Sequence, residues 1–257
     1  MSLGFYMEIF GDIGECIYCG SIEDLSDEHI VPYSLNGRWI LPKASCSTCA
    51  AITSKFEREV TRNLLASTRT FHKFKTRREK NRPVSFPVKL IKQDSSELSV
   101  NLPIEEYGAV TLFPIYELPT HLSGNHVQGI LYRGNALNRN GGVELTALGK
   151  RYGASAINFP ITFSPVDFAR LIAKIAYGFG VAHYDKQFIR NAYVVPAILN
   201  EPNQISRWVG TIRDYEMPRK EDLGIEFFEN KEEIFARVQI FGKLEGSVVY
   251  LVVLGKK

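Results

Sequence analysis

Apolar residues recur at helical spacing from Ile52 through Phe56, Val60, Leu64 and Leu65, and no Gly or Pro interrupts the run before Pro83. This pattern predicts a helix that leads into a polar, basic tail. Beyond Pro83 the period changes to two. Phe86 to Ile91 and Leu98 to Leu102 read as neighbouring strands across a polar turn at Gln93 to Glu97, with Val110–Tyr116 and Val127–Tyr132 as further strands. Asn138 to Gly142 reads as a turn by composition. A second helix is expected from Ser164, which can cap it. Pro165 suits its first turn and Asp167 its positive end, and Phe168, Leu171, Ile172, Ile175, Ala176 and Phe179 form a broad apolar stripe for a sheet to pack on. Ala192–Leu199 and Arg207–Ile212, the latter with a half-buried Trp208, return to strands. The charged stretch Met217–Glu233 then leads to a closing hairpin, Ile234–Phe241 with Val248–Leu254, in which Phe241 and Tyr250 would pair. Together these elements imply an α+β chain whose C-terminal part is a mixed, mostly antiparallel sheet with one buried helix.

Composition supports a soluble globular protein, with 45% hydrophobic and 23% charged residues. No apolar run is long enough for a bilayer, and Met1–Phe10 lacks the basic start and long apolar core of a signal peptide, so a cytoplasmic location is expected. The net charge of +3 matters less than its distribution. Residues 1–54 carry two basic against seven acidic side chains, whereas residues 55–82 carry ten against three. Within that block Arg58, Arg62 and Arg69 would edge the helix, and Lys73, Lys75, Arg77, Arg78 and Lys80 follow among Phe71 and Phe74. Such a block can neutralise a nucleic-acid backbone without reading sequence; a solvated face is the plainer alternative. His72 reads as a surface residue, and His121 and His126 as loop residues.

The stretch with chemistry precedes this block. Cys16 and Cys19 form one Cys-x-x-Cys pair, and Cys46 and Cys49 another. Each pair can turn two thiolates toward one ion, and four thiolates close a tetrahedral zinc site with no open position, which makes it structural. Two disulfides or a redox dithiol are the competing uses of these cysteines. Between the pairs stands Asp27-Glu28-His29-Ile30-Val31-Pro32, two carboxylates followed by a histidine and a chain-stiffening proline.

Over residues 13–60 this combination resembles the HNH endonuclease family, in its branch with a four-cysteine zinc site. The resemblance implies a ββα-metal module of a hairpin and a helix. His29 would then be the general base for phosphodiester hydrolysis, and Glu28 a ligand of a catalytic Mg2+ or Mn2+. Where that family carries Asn or His after the second cysteine pair, this chain has Ala50. Ala50, Thr53, Ser54 and Glu57 share one helix face, so Glu57 could supply the missing ligand, or could be a solvated carboxylate. Asn36 could orient the His29 loop or simply make the Asn36-Gly37 turn. Asp27 could support His29 or begin the strand.

The expectation is therefore a zinc-stapled module at 1–60, a basic helical connector at 61–82 and an α+β domain at 83–257. The activity expected is cleavage of double-stranded DNA to a 5′-phosphate and a 3′-hydroxyl. A non-catalytic nucleic-acid-binding zinc module competes with it, as does a nuclease effector governed by a C-terminal domain that senses a ligand or protein partner.

Overall fold

The computed structural model of the protein describes residues 8–124, 127, 129–184, 186–199 and 204–257. Its first unit is a small sheet, β1 (Glu8–Ile9), β2 (Leu25–His29) and β3 (Trp39–Cys46), in the order β1-β3-β2. β2 and β3 are antiparallel, and β1 runs parallel to β3. α1 (Ser47–Glu59) follows β3 directly, and the expected helix continues through a π-helical stretch, Val60–Leu64, into α2 (Ala66–Phe71).

Beyond residue 83, β4 (Ser85–Lys92), β5 (Glu97–Pro103), α3 (Ile104–Tyr107), β6 (Ala109–Tyr116), α4 (Thr120–Ser123) and β7 (Tyr132–Asn140) come in order. They are followed by α5 (Leu145–Tyr152), β8 (Ala154–Asn158), α6 (Pro165–His183), α7 (Lys186–Asn191), α8 (Val195–Ile198) and α9 (Ile205–Trp208). The chain closes with β9 (Val209–Ile212), β10 (Leu223–Glu229), β11 (Glu233–Ile240) and β12 (Val249–Lys256). All the strand pairs after β3 are antiparallel, in sheets ordered β5-β4-β8, β6-β7 and β10-β11-β12-β9. Pro87 is tolerated in the middle strand because β8 pairs only with Lys89–Lys92, which leaves that edge of β4 free at the proline.

α6 is the pivot of the fold. Ser164 caps it as expected, its Oγ accepting from the Asp167 N–H at 3.1 Å. Every residue from Phe168 to Val181 is buried, so the helix is covered all round instead of along one stripe. One face packs on β9, β11 and β12 and another on α1. The main core accordingly runs without a break from Cys16, Ile30 and Leu41 through Phe56 and Leu65 to Tyr250 and Leu254. A smaller core of Val88, Leu90, Leu102, Tyr107, Val110 and Leu148 lies under β4.

Several expectations give way here. The strand expected at 127–132 begins at Tyr132 and runs on to Asn140, because pairing with β6 draws the Asn-rich segment into the ladder and leaves only Gly141 and Gly142 to turn, both at positive φ. Asn125, His126 and Gln128 lie outside the described residues. Residues 195–198 are helical where a strand was expected; Pro196 lacks a ladder donor and suits a helix's first turn. Trp208 ends α9 and is buried, and the charged link contains β10. Tyr250 pairs with Val238, while Phe241 leaves the strand at φ 54° and stacks on Phe74. His121 is held by Glu233 at 2.6 Å and packs on Trp208.

Candidate functional site

The four cysteines come together as their spacing implied. Their Sγ atoms all lie within 4.8 Å of one another. A tetrahedron with Zn–S bonds of about 2.3 Å has edges of about 3.8 Å, so the cluster could hold one zinc ion. Cys19 and Cys46 approach to 3.6 Å, far beyond a disulfide bond, and all four thiols are free. The Cys49 backbone N–H, in the first turn of α1, brings the Cys46 thiol down to about 7. Burial, with Cys16 beside it, pushes Cys49 up. Crowded thiols cannot all ionise without a cation among them, which suits a metal-binding set. Cys16, Cys46 and Cys49 belong to the main core, and the Tyr177 hydroxyl of α6 donates to the Ile17 carbonyl inside the first pair.

From this cluster β2 carries the acidic-His segment toward α6. The ladder with β3 slips between Ser26 and Glu28, where Asp27 alone stands opposite Pro42, Lys43 and Ala44, so the extra residues of the bulge belong to β3, with Lys43 at φ 48°, and Asp27 is exposed. Its Oδ1 accepts from the Lys43 N–H at 3.3 Å. That contact braces the hairpin.

Glu28 turns inward and is only 6% exposed. Its Oε1 lies 2.6 Å from Nζ of Lys174, and Glu57 Oε1 lies at the same distance on the other side. Lys174 also donates to the carbonyls of His29 and Ile30, the second at 3.5 Å. The shared helix face did bring Glu57 opposite Glu28, but the cation between them is an ammonium from α6. Where Glu28 and Glu57 were expected to hold a divalent ion they engage this ammonium, and the arrangement lends no support to a catalytic Mg2+ or Mn2+ there. Burial would strip Lys174 of its charge, but the two carboxylates reverse that and hold its pKa above the usual lysine value. For Glu57, burial prevails over Lys174 and raises the carboxyl. Gly178, one turn along α6, allows this close docking, since a Cβ there would stand 3.0 Å from Ile30 Cγ2.

His29 faces the other way and is half-buried. Burial lowers its pKa, and Lys174 and Arg77 add to the effect against Glu28 and Asp27. The imidazole is therefore neutral at pH 7 and able to accept a proton. Its Nδ1 is buried without a hydrogen-bond partner among the described residues. The ring meets Tyr33 edge-on at 6.1 Å, and Tyr33 lies beneath Lys75 at 5.8 Å and Arg77 at 5.9 Å. Asn36 fastens this part of the tail. It makes the turn at φ 60°, and its Oδ1 accepts from the Lys75 N–H at 2.9 Å, which ties the tail to the His29 loop.

The basic block divides into two groups. Arg58, Arg62, Lys73, Lys75, Arg77, Arg78 and Lys80 are exposed, as expected of groups that meet a nucleic-acid backbone. Arg69 is not free in that sense. Its Nε donates to the Ser34 carbonyl at 2.7 Å and its Nη1 to the Thr61 carbonyl at 2.8 Å, tying α2 to the His29 loop. Arg82, the last cation of the tail, donates likewise to the Arg69 and Phe74 carbonyls. Arg62, Arg69, Arg78 and Arg82 line a groove of about 410 Å³ with Thr70 and Asn81. The residue that sequence patterns missed is Lys174. Arg170 is its neighbour on α6, donating to the Ile198 carbonyl and lying over the Phe56 ring at 4.3 Å.

No helix among the described residues is long and apolar enough to cross a membrane. Compared with protein-family models, curated proteins and solved structures, the chain matches none.

Proposed function

We propose that this protein is a zinc-stapled, HNH-like nuclease that binds the backbone of double-stranded DNA on its basic connector and uses His29 as the general base for phosphodiester hydrolysis. The observation that carries this reading is the stack from His29 through Tyr33 to Lys75 and Arg77. A phosphate held by those two cations lies beside a neutral imidazole able to take a proton from water. Positive side chains at that place also oppose the charge that builds on the phosphate as the bond to the leaving oxygen breaks. The arginine-lined groove gives the same strand a further stretch of cationic surface. No step is assigned to a divalent ion, because Glu28 and Glu57 are both engaged by Lys174.

A second reading, a nucleic-acid-binding zinc module without catalysis, is favoured by that same Lys174 and by Ala50 in place of a family ligand. Supercoiled plasmid separates the two. Under the nuclease reading wild-type protein nicks it and His29→Ala does not, while both bind it equally. Binding without nicking by wild type assigns the second reading, and equal nicking by both proteins removes His29 from the chemistry.

A further inference from the structure

The resemblance to HNH nucleases implies a divalent cation on Glu28 of the strand, with Glu57 of the helix available as a further ligand. Here Glu28 of β2 and Glu57 of α1 do converge, and Lys174 Nζ stands 2.6 Å from each. We propose that Lys174 is the resident cation of this site: its ammonium fills the position between the strand and helix carboxylates, and the native protein binds no divalent ion there. The inference rests on reading the module as HNH-like. It concerns what fills the site, and does not depend on whether DNA is cut.

Three features support residence over a passing encounter. Lys174 is 1% exposed, so no solvent route lets its side chain swing away and leave the carboxylates to a metal. Its remaining donor capacity goes to the His29 and Ile30 carbonyls, so every N–H of the ammonium has an oxygen to meet. Finally, Tyr177 and Gly178 seat the same stretch of α6 against Ile17 and Ile30. The cation is thus delivered by a helix anchored within about one turn of it. It also reaches the strand at His29 itself, so Lys174 sets the backbone from which the imidazole projects.

The test measures Mn2+ binding to zinc-loaded protein by electron paramagnetic resonance. Mn2+ is the weakest binder of the divalent series and leaves zinc on thiolates undisturbed. In wild type, Mn2+ binding is expected to be unchanged by Glu57→Gln. In Lys174→Ala, one new site is expected, weakened by roughly 10–100-fold when Glu57→Gln is added. The proposal is overturned by a wild-type Mn2+ site that Glu57→Gln removes, or by a folded Lys174→Ala that gains no site. If Lys174→Ala does not fold, the wild-type comparison alone decides. Plasmid nicking is scored separately, so loss of the nuclease reading and loss of this one are distinguishable.

Discussion

Replacing Lys174 by Met keeps the length and burial of the side chain but removes the charge, leaving Glu28 and Glu57 facing each other across a dry gap. Their side chains are 7% and 20% exposed. Breaking a buried ion pair by deleting one partner costs about 3–5 kcal/mol, because the surviving charge stays buried without compensation. Here two charges survive and the His29 and Ile30 carbonyls lose a donor, so the upper part of that range is expected at pH 7. For a chain of this size that corresponds to a fall in Tm of roughly 6–20 °C. The pH dependence has a definite sign. Without the ammonium, burial acts unopposed on Glu57 and holds its carboxyl further above the unfolded value, so the variant recovers stability as the pH falls from 7 toward 5. In wild type the ammonium offsets part of the rise at Glu57, so acidification restores less there and the difference between the two narrows. Adding Glu28→Gln and Glu57→Gln to Lys174→Met should restore most of the loss, since neutral groups of the same shape carry no uncompensated charge. Urea denaturation at pH 7 and pH 5 reads all of this. A loss below about 1 kcal/mol at pH 7, the scale of an exposed pair, or a difference that widens on acidification, would refute the buried-triad account.

Other measurements follow from the same geometry. Any His29-dependent nicking should decline on acidification with a midpoint below 6.5, because burial and Lys174 favour the neutral ring; a midpoint above 6.5 contradicts that environment. Elemental analysis should give about one zinc per chain, four thiolates making one site, and chelation should lower Tm, since three of the cysteines lie in the main core. Purified protein without zinc but with unaltered stability would remove the staple. Neutralising Arg77, Arg78 and Lys80 should flatten the salt dependence of DNA affinity by about 0.9 in log–log slope for each phosphate left without its cation, and an unchanged slope would place binding elsewhere. Gly178→Val should destabilise by about 1–3 kcal/mol through overpacking against Ile30, which a denaturation curve reports directly.

The cysteine cluster was legible because Cys-x-x-Cys spacing is local geometry, and α6 was legible because its cap and first turn are written in Ser164, Pro165 and Asp167. The meeting of Glu28 and Glu57 was half legible: helical spacing along α1 brought Glu57 to the right face, but the partner between the carboxylates comes from 145 residues beyond His29. Residues 195–198 misled because β-branched side chains favour strands wherever packing is not yet known, and Pro196 overrode them. The mistake at 138–140 has a similar cause, as turn-forming residues yield to a ladder when an established partner strand lies alongside. A signal for Lys174 did exist. After Asp167, the only charged residues from Phe168 to Val181 are Arg170 and Lys174, set among apolar residues on every side of the helix. A helix with no polar face has no surface on which to leave a cation, so each must be buried, and a buried ammonium must meet carboxylates or carbonyls. Of the acidic residues available, Glu28 stands two residues before the apolar Ile30-Val31 step between the two cysteine motifs, and Glu57 shares a helix with Phe56. Charge neutrality in a dry core thus points from α6 back to the same two residues that resemblance and helix spacing had offered to a metal.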